Sequence, residues 1–467
     1  MVPTIVLKEI RGHILSLRFA ATCVFMLCFV TGGMVMMAKH YHRQLDDYDV
    51  AKKQYRELIR EVEVQELEEY TVQKRPNPLM VFAAGMEGEM SRPITVTTNN
   101  ETRVGGVQHP NPMFRLFSTP DLAYVVNVIG SLLALLLVFD AISGERERGT
   151  LKLVLSNAVP RDIVLIGKWI GGYVMIVVSF LMAFVLGLIA VSMLNPLSLD
   201  GEQWGRVGLI FGTALLYMGV FCALGIAISS WTHSSATSLV VSFFLWVVLV
   251  LAIPNVMPIV ARQMVSAPTV GALDKEKQAI YEEEMNTYRE RRRELPKETD
   301  RVVKRRRFRE LFNEAMRHIR ERQSKVMQAY SRKIDRRAKL ARTLSRISPA
   351  ASYLYAGTLW AGTGVEDFWQ MRSYVSTFKE QFIRTAEDAK TEVSVAMTRA
   401  IGQGTDEVNR VSHWKMEEVG TRLPIFHLEG LRLEVSSGAC LTDLLALVIW
   451  GVLFLSGAYL TFMRYRP

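Results

Sequence analysis

The chain has 467 residues, 49% of them hydrophobic and 22% charged, with 56 Lys+Arg against 46 Asp+Glu and a formal net charge of +10. Its four cysteines, Cys23, Cys28, Cys222 and Cys440, lie within or at the edge of apolar blocks, which argues against a disulfide framework. No Cys/His pair has metal-ligand spacing in a polar segment, and the basic segment 272–346 (24 Lys+Arg, 13 Asp+Glu) alternates with Glu at helical spacing without an aromatic stacking series, which argues against nucleic acid.

Six apolar blocks are long enough to cross a bilayer, for which roughly 20 residues suffice: 17–38, 120–140, 169–194, 207–229, 236–260 and 441–463. Two polar regions, 40–118 and 261–438, lie between them. The expected fold class is mainly α: a polytopic membrane protein with six transmembrane helices and a large, mostly helical extracytoplasmic domain containing a small β piece.

Residues 1–16 place Val6, Ile10 and Ile14 every four positions with Lys8 and Arg11 between them, a short amphipathic helix suited to the headgroup plane. The first block reads as a span rather than a signal peptide, because no small-residue cleavage site follows and a helical pattern continues into 40–70. Leu45, Tyr48, Tyr55, Leu58, Ile59 and Val62 predict that this span extends outward as one long helix, ended by Pro76 and Pro78. Leu79–Phe82 and Pro93–Thr97 read as short β-type runs, with turns at 99–100 and 105–106.

Span two follows Pro120-Asp121 and leads into the most informative stretch of the chain. Its apolar run ends at Phe139. Asp140, a compact charged block (Glu145, Arg146, Glu147, Arg148), Gly149 and an amphipathic segment from Thr150 to Leu155 come next, and a fresh apolar run opens at Trp169. A turn of mixed charge followed by an amphipathic segment suits docking to a protein better than simple solvation.

This stretch resembles the signature of type-2 ABC transporter permeases, F/Y-D-x-I-S-G-E-R/K-E-x-G-T-L-x-L-x-L-S-x-P-V-x-R, which lies between the second and third spans of that family. The matching residues are Phe139, Asp140, Ile142, Ser143, Gly144, Glu145, Arg146, Glu147, Gly149, Thr150, Leu151, Leu153, Leu155, Ser156 and Arg161. The chain departs in the order Ala158-Val159-Pro160, where Pro-Val is usual. The resemblance implies a cytoplasmic coupling element that docks a nucleotide-binding ATPase subunit through Asp140, Ser143, Gly144, Glu145, Arg146, Glu147, Gly149, Thr150, Leu151 and Arg161. Residues 1–16 are similar to the family's elbow helix, and RPNPLMVFAAG before span two and the S-P-A element at 348–350 are similar to stretches that recur in it.

Spans three and four are rich in glycine, and the GxxxG spacings Gly167–Gly171 and Gly208–Gly212 permit close backbone approach. Tight helix packing is one reading and a subunit interface the other. Strongly ionisable side chains are nearly absent within the spans, with Asp121 and Asp140 at the ends of span two, which argues against an ion-coupled transporter. Pro254 and Pro258 loosen the end of span five, either as a gate or as an ordinary helix exit.

In 272–347, Phe308, Leu311, Phe312, Met316 and Ile319, then Val326, Tyr330 and Ile334, recur at three-to-four spacing. With Pro296 dividing the segment, they predict an amphipathic hairpin packed against the 41–70 helix. Residues 347–364 are apolar but contain Pro349 and three glycines, and read as an interfacial or buried segment with Tyr353 and Trp360 near headgroup level. Residues 365–418 return to helix, and Arg422–Val435 suits a short strand pair. His109, His413 and His427 read as surface or packing histidines.

The expected division is 1–38, elbow helix and first span; 39–119, first extracytoplasmic segment; 120–260, spans two to five with the turn 141–168; 261–439, second extracytoplasmic segment; and 440–467, sixth span and tail. Basic residues at Lys8, Arg11 and Arg18, in the 141–168 turn, and at Arg464 and Arg466 favour cytoplasmic termini by the positive-inside rule, and long translocated segments largely escape that rule.

The chain has no GxxxxGK[ST], no nucleophile elbow and no HExxH. The expectation is therefore a non-enzymatic permease subunit of an ATP-driven ABC exporter in the cell's inner membrane, without a cofactor or metal of its own, ATP being bound by a partner ATPase. A second permease copy or related permease completes it, the lipid bilayer surrounds it, and an envelope protein is a further candidate partner. The alternative is a non-transporting envelope scaffold or sensor.

Overall fold

The computed structural model describes every residue except 1, 99–101, 106–119, 157–159, 295–300, 401–404, 415–436 and 465–467. It divides into two units, Met1–Pro254 with Ser348–Pro467, and Asn255–Ile347.

The first unit opens with helix α1 (Val2–Ile14). Ser16 then caps the next helix by accepting the Phe19 N–H at 3.3 Å, which satisfies one of the amides a helix start leaves unpaired. Six helices are long and apolar enough to cross a membrane: Leu17–Tyr55, Leu122–Glu147, Arg161–Leu194, Gly201–Trp231, Ser235–Met264 and Cys440–Met463, here spans one to six. Each contains most or all of one predicted apolar block. Their starts are written in polar residues. Asp121 caps span two, Asp200 and Gln203 form a capping box on span four, and Ser234 caps span five.

Span four is the centre of the bundle, packed against spans two, three and six. Its close neighbours are fitted by glycines. A Cβ at Gly172 of span three would collide with Val138 Cγ1, and one at Gly225 of span four would lie 2.6 Å from Val138 Cγ2, so one valine of span two fills both notches. Phe180 and Phe184 of span three stack around Phe211 of span four, with ring centroids 5.2 and 4.9 Å apart. The two GxxxG pairs differ. Gly167 and Gly171 seat α1, whereas Gly208 and Gly212 have nothing within 4 Å among the described residues.

Two expectations for the segment between spans one and two are corrected. The helix of span one ends at Glu61, short of residue 70. The chain then turns so that Val64 and Leu67 enter the extramembrane core, and Glu69–Val72 forms strand β1. Residues Leu79–Phe82 are not a strand: Pro78–Val81 is a 3-10 turn, capped by Asn77, whose Oδ1 accepts the Leu79 N–H at 3.0 Å. Leu79, Met80, Val81 and Phe82 are all buried. A short apolar run buried on every side has no period from which strand and turn can be told apart.

Strands β1, β2 (Ile94–Thr97) and β3 (Thr102–Val104) form an antiparallel sheet in that order, with Glu69 opposite Thr97 and Ile94 opposite Val104. The strand pair expected at 422–435 lies outside the described residues.

The signature stretch folds as two short helices, α2 (Ser143–Glu147) and α3 (Thr150–Ser156). In the second unit, α4 (Val270–Glu294) and α5 (Arg301–Ser345) form the expected hairpin. Its legs are joined by Arg322, 2.9 Å from both Glu283 and Glu284, by Arg291 on Glu314, and by Tyr288 edge-on to Phe312.

Back in the first unit, α6 (Pro349–Ala361) is buried at every position except Trp360, and Gly362 ends it at a φ of 68°. Helix α7 (Val365–Ala400) buries Phe368, Met371, Val375, Phe378, Phe382, Ala386, Ala389 and Val393, a stripe at helical spacing. That stripe covers the sheet, with Tyr70 of β1 5.4 Å from the Phe378 ring. Helix α8 (Thr405–Ser412) packs on α7.

Candidate functional site

The stretch from Phe139 to Arg161 touches six other segments of the bundle, α1 and spans one, three, four, five and six. At the end of span two, the Arg18 guanidinium of span one lies 5.0 Å over the Phe139 ring and 2.7 Å from Asp140 Oδ2. The Phe139 carbonyl accepts the Ser238 hydroxyl of span five. The first free amides of α2 are capped from outside the helix: Ile142 and Ser143 both donate to Ser229 Oγ of span four at 3.0 Å.

Three charged residues of α2 continue this pattern. Arg146 donates to the carbonyls of Thr232 and Ser230 at 2.7 and 3.1 Å, which satisfies the unpaired carbonyls at the C-terminus of span four. Glu147 Oε2 accepts the Ser235 N–H at 2.9 Å, at the N-terminus of span five. Glu145 lies 2.9 Å from Lys168 of span three and 3.3 Å from Lys8 of α1. Lys168 also reaches Glu9 at 3.0 Å.

Lys168 is only 2% exposed, so a buried ammonium sits between two carboxylates that would otherwise repel each other. The glycines beside it explain why α1 comes so close. A Cβ at Gly171 would lie 2.7 Å from Glu9 Cβ, and one at Gly167 2.7 Å from Ile5 Cγ2. Nearby, burial holds the His13 imidazole of α1 below its ordinary pKa, outweighing the carboxylates of Glu9 and Asp140.

Gly149 turns the chain between α2 and α3 at a φ of 73°, a conformation costly for residues with a Cβ. Thr150 bonds back to the Glu145 carbonyl and Leu151 is fully buried. Beyond the undescribed residues 157–159, Arg161 donates to the Met463 carbonyl at the end of span six at 2.9 Å.

The ten residues singled out in the sequence therefore divide. Ser143, Gly144 and Leu151 are buried, and Asp140, Glu145, Arg146 and Arg161 bond within the chain. Glu147, Gly149 and Thr150 are exposed, as are Arg148 and Lys152, and Leu153 is 68% exposed. Sequence reasoning missed the partners, Ser229, Thr232, Ser235, Glu9 and Lys168. It also passed over Asp443, a fully buried acid in the first turn of span six.

The sequence profile of the ABC-2 family transporter proteins matches residues 3–465. The chain belongs to that family. It is thus a multi-pass membrane permease of the ABC transporter class. Among individual relatives, the probable ABC transporter permease protein NosY of Pseudomonas aeruginosa is 35% identical over 120 residues, 26% of this chain and 44% of the relative. The protein of the same description from Stutzerimonas stutzeri is 29% identical over 135 residues, 28% of this chain and 48% of the relative. The chain spans about half the length of these curated relatives.

Proposed function

We propose that this permease is the membrane subunit of an ATP-driven exporter, and that the α2–α3 element passes the work of a separate nucleotide-binding subunit to the spans. In this reading both termini and the α2–α3 element are cytoplasmic, and residues 261–439 are extracytoplasmic. What supports it is the two-sided character of the element. Its inner side is bonded to α1 and to spans three, four and five, while Arg148, Lys152 and Leu153 face outward. A docking surface needs an exposed apolar anchor with polar surroundings, and Leu153 is placed to be that anchor.

The test is co-purification with the cognate ATPase. Leu153→Asp should lower the recovered ATPase roughly tenfold, as loss of an interface anchor does, with membrane insertion unchanged. Full recovery with Leu153→Asp and with Glu147→Lys would refute the docking assignment.

The size of the α4–α5 hairpin, with helices of 25 and 45 residues, favours a second version in which the work is delivered to the extracytoplasmic part without solute flux. Reconstituted vesicles separate the two: ATP-dependent movement of a solute supports export, and ATPase stimulation by an envelope protein without flux supports the second.

A further inference from the structure

Three of the six spans contain a π-turn: Leu27–Thr31 in span one, Val126–Gly130 in span two and Val247–Ala252 in span five. A π-turn inserts one residue into the α-helical ladder and disturbs its hydrogen bonding. Inside a bilayer each displaced backbone group must find another partner. In spans two and five the partners come from other elements.

The Asn127 carbonyl, in the π-turn of span two, accepts the Tyr217 hydroxyl of span four at 3.0 Å, and Tyr217 Oη is also 2.8 Å from Asn127 Oδ1. Ser131 Oγ donates to the same carbonyl. Ser131 Oγ in turn accepts the Trp246 indole N–H at 2.9 Å, from the residue that immediately precedes the π-turn of span five. Within that turn the Leu249 carbonyl accepts the Ser348 hydroxyl. Tyr217 is clamped by the Tyr353 ring of α6, stacked at 4.4 Å. The π-turn of span one adjoins the group through Met26, whose methyl lies 3.5 Å from where a Cβ of Gly130 would stand. Asn127, Ser131, Tyr217, Trp246 and Tyr353 are all at most 5% exposed.

Buried polar groups in a bundle are costly unless every member is paired. This set is paired across spans two, four and five, and its bonds fall on the irregular turns or on the residues immediately beside them. A π-turn can move along a helix by exchanging one hydrogen-bond register for the next, which rotates the helix beyond it. We propose that the Tyr217–Asn127–Ser131–Trp246 network is a latch. It holds the π-turns of spans two and five in the arrangement described, and those turns are the points at which the two spans deform when the permease changes state. The link to ATP rests on the function proposed above, whereas the latch itself does not.

The test uses the full chain in lipid nanodiscs, alone and with its ATPase. Tyr217→Phe keeps the ring and its stacking and removes only the hydroxyl, and Trp246→Phe removes the indole donor. Each should speed amide hydrogen exchange at least fivefold in 122–138 and 239–256, and leave 174–190 of span three unchanged. The double variant should exceed neither single by more than twofold, because both cut one network. Tyr173→Phe, whose hydroxyl donates to the Leu215 carbonyl of span four, outside the network, is the control and should leave both segments as they are. Unchanged exchange in the two segments, or an equal rise across all spans, would overturn the latch. With the ATPase bound, Tyr217→Phe should raise basal hydrolysis severalfold, and an unaltered rate overturns the tie to the transport cycle. If no ATPase associates with the wild-type chain, the function reading fails and the exchange pattern alone decides the latch.

Discussion

At the scale of single residues, Lys168 shows how a side chain unremarkable in sequence becomes a centre of the site. Its ammonium neutralises Glu9 and Glu145 at 3.0 and 2.9 Å in a nearly dry position. Removing one partner of a buried charge cluster costs far more than the cluster contributes, about 3–5 kcal/mol. Lys168→Met should therefore lower the thermal midpoint of the purified chain, and Glu9→Gln with Glu145→Gln should recover most of the loss. A Lys168→Met protein as stable as wild type would contradict this account. Asp367, at the start of α7, supplies a pH dependence. Burial raises its carboxyl from an ordinary 3.8 to about 6, against the opposing pull of the Gly364 amide, Lys74 and Arg206. Between those two values the folded chain holds more protons than the unfolded one, so stability falls as pH rises through the window and levels off above it. The unfolding midpoint should accordingly rise on acidification from pH 7 to pH 5. Asp367→Asn should remove part of that rise, and a variant that keeps all of it would show that the carboxyl is not responsible. The signature residues could all be picked out by the resemblance of one contiguous stretch to the family's pattern. The residues they bind could not, because Ser229 is 87 positions from Ile142 and nothing local marks it.

At the scale of elements, the seating of α1 on span three depends on a missing side chain. The Cβ added by Gly171→Ala would stand 2.7 Å from Glu9 Cβ, an atom that moves only with its helix. The helix must lift, and a cysteine placed at Ile5 should then react severalfold faster with a thiol reagent than in the Gly171 background. Equal rates would mean that α1 is held by something other than this glycine. GxxxG spacing marked this contact correctly as a place of close approach, yet the identical spacing at Gly208–Gly212 faces open space. The motif states what a helix permits and not what it meets. The same gap explains Leu79–Phe82. Its apolar character was plain, but its turn follows from Asn77 and from burial against the bundle, where Ala123 donates to the Phe82 carbonyl at 2.9 Å.

At the scale of the whole molecule, contacts within the first unit bring the start of span one, the end of span two, the start of span three and the end of span six to one end of the bundle. Arg161 at the start of span three meets Met463 at the end of span six, and Asp140 meets Arg18 at the start of span one. Which side faces the cytoplasm is a proposal with a direct check. A cysteine at Lys325, exposed on α5, should be labelled by an impermeant thiol reagent in intact cells. One at exposed Arg148 should be labelled only after permeabilisation. The reverse pattern would invert the topology and with it the proposed ATPase contact.

The number and approximate place of the spans follow from local composition alone, because a bilayer demands about twenty apolar residues wherever a helix crosses it. The family signature is legible in the same way, since its residues lie in one contiguous stretch. Folding added what the pattern lacks: most of that signature is turned inward, a buried lysine joins α1 to α2, and the π-turns of spans two and five are bonded through Tyr217, Trp246 and Ser348. Each of these depends on groups far apart in the chain that are forced to pair once water is excluded, and a local pattern carries no record of a distant partner.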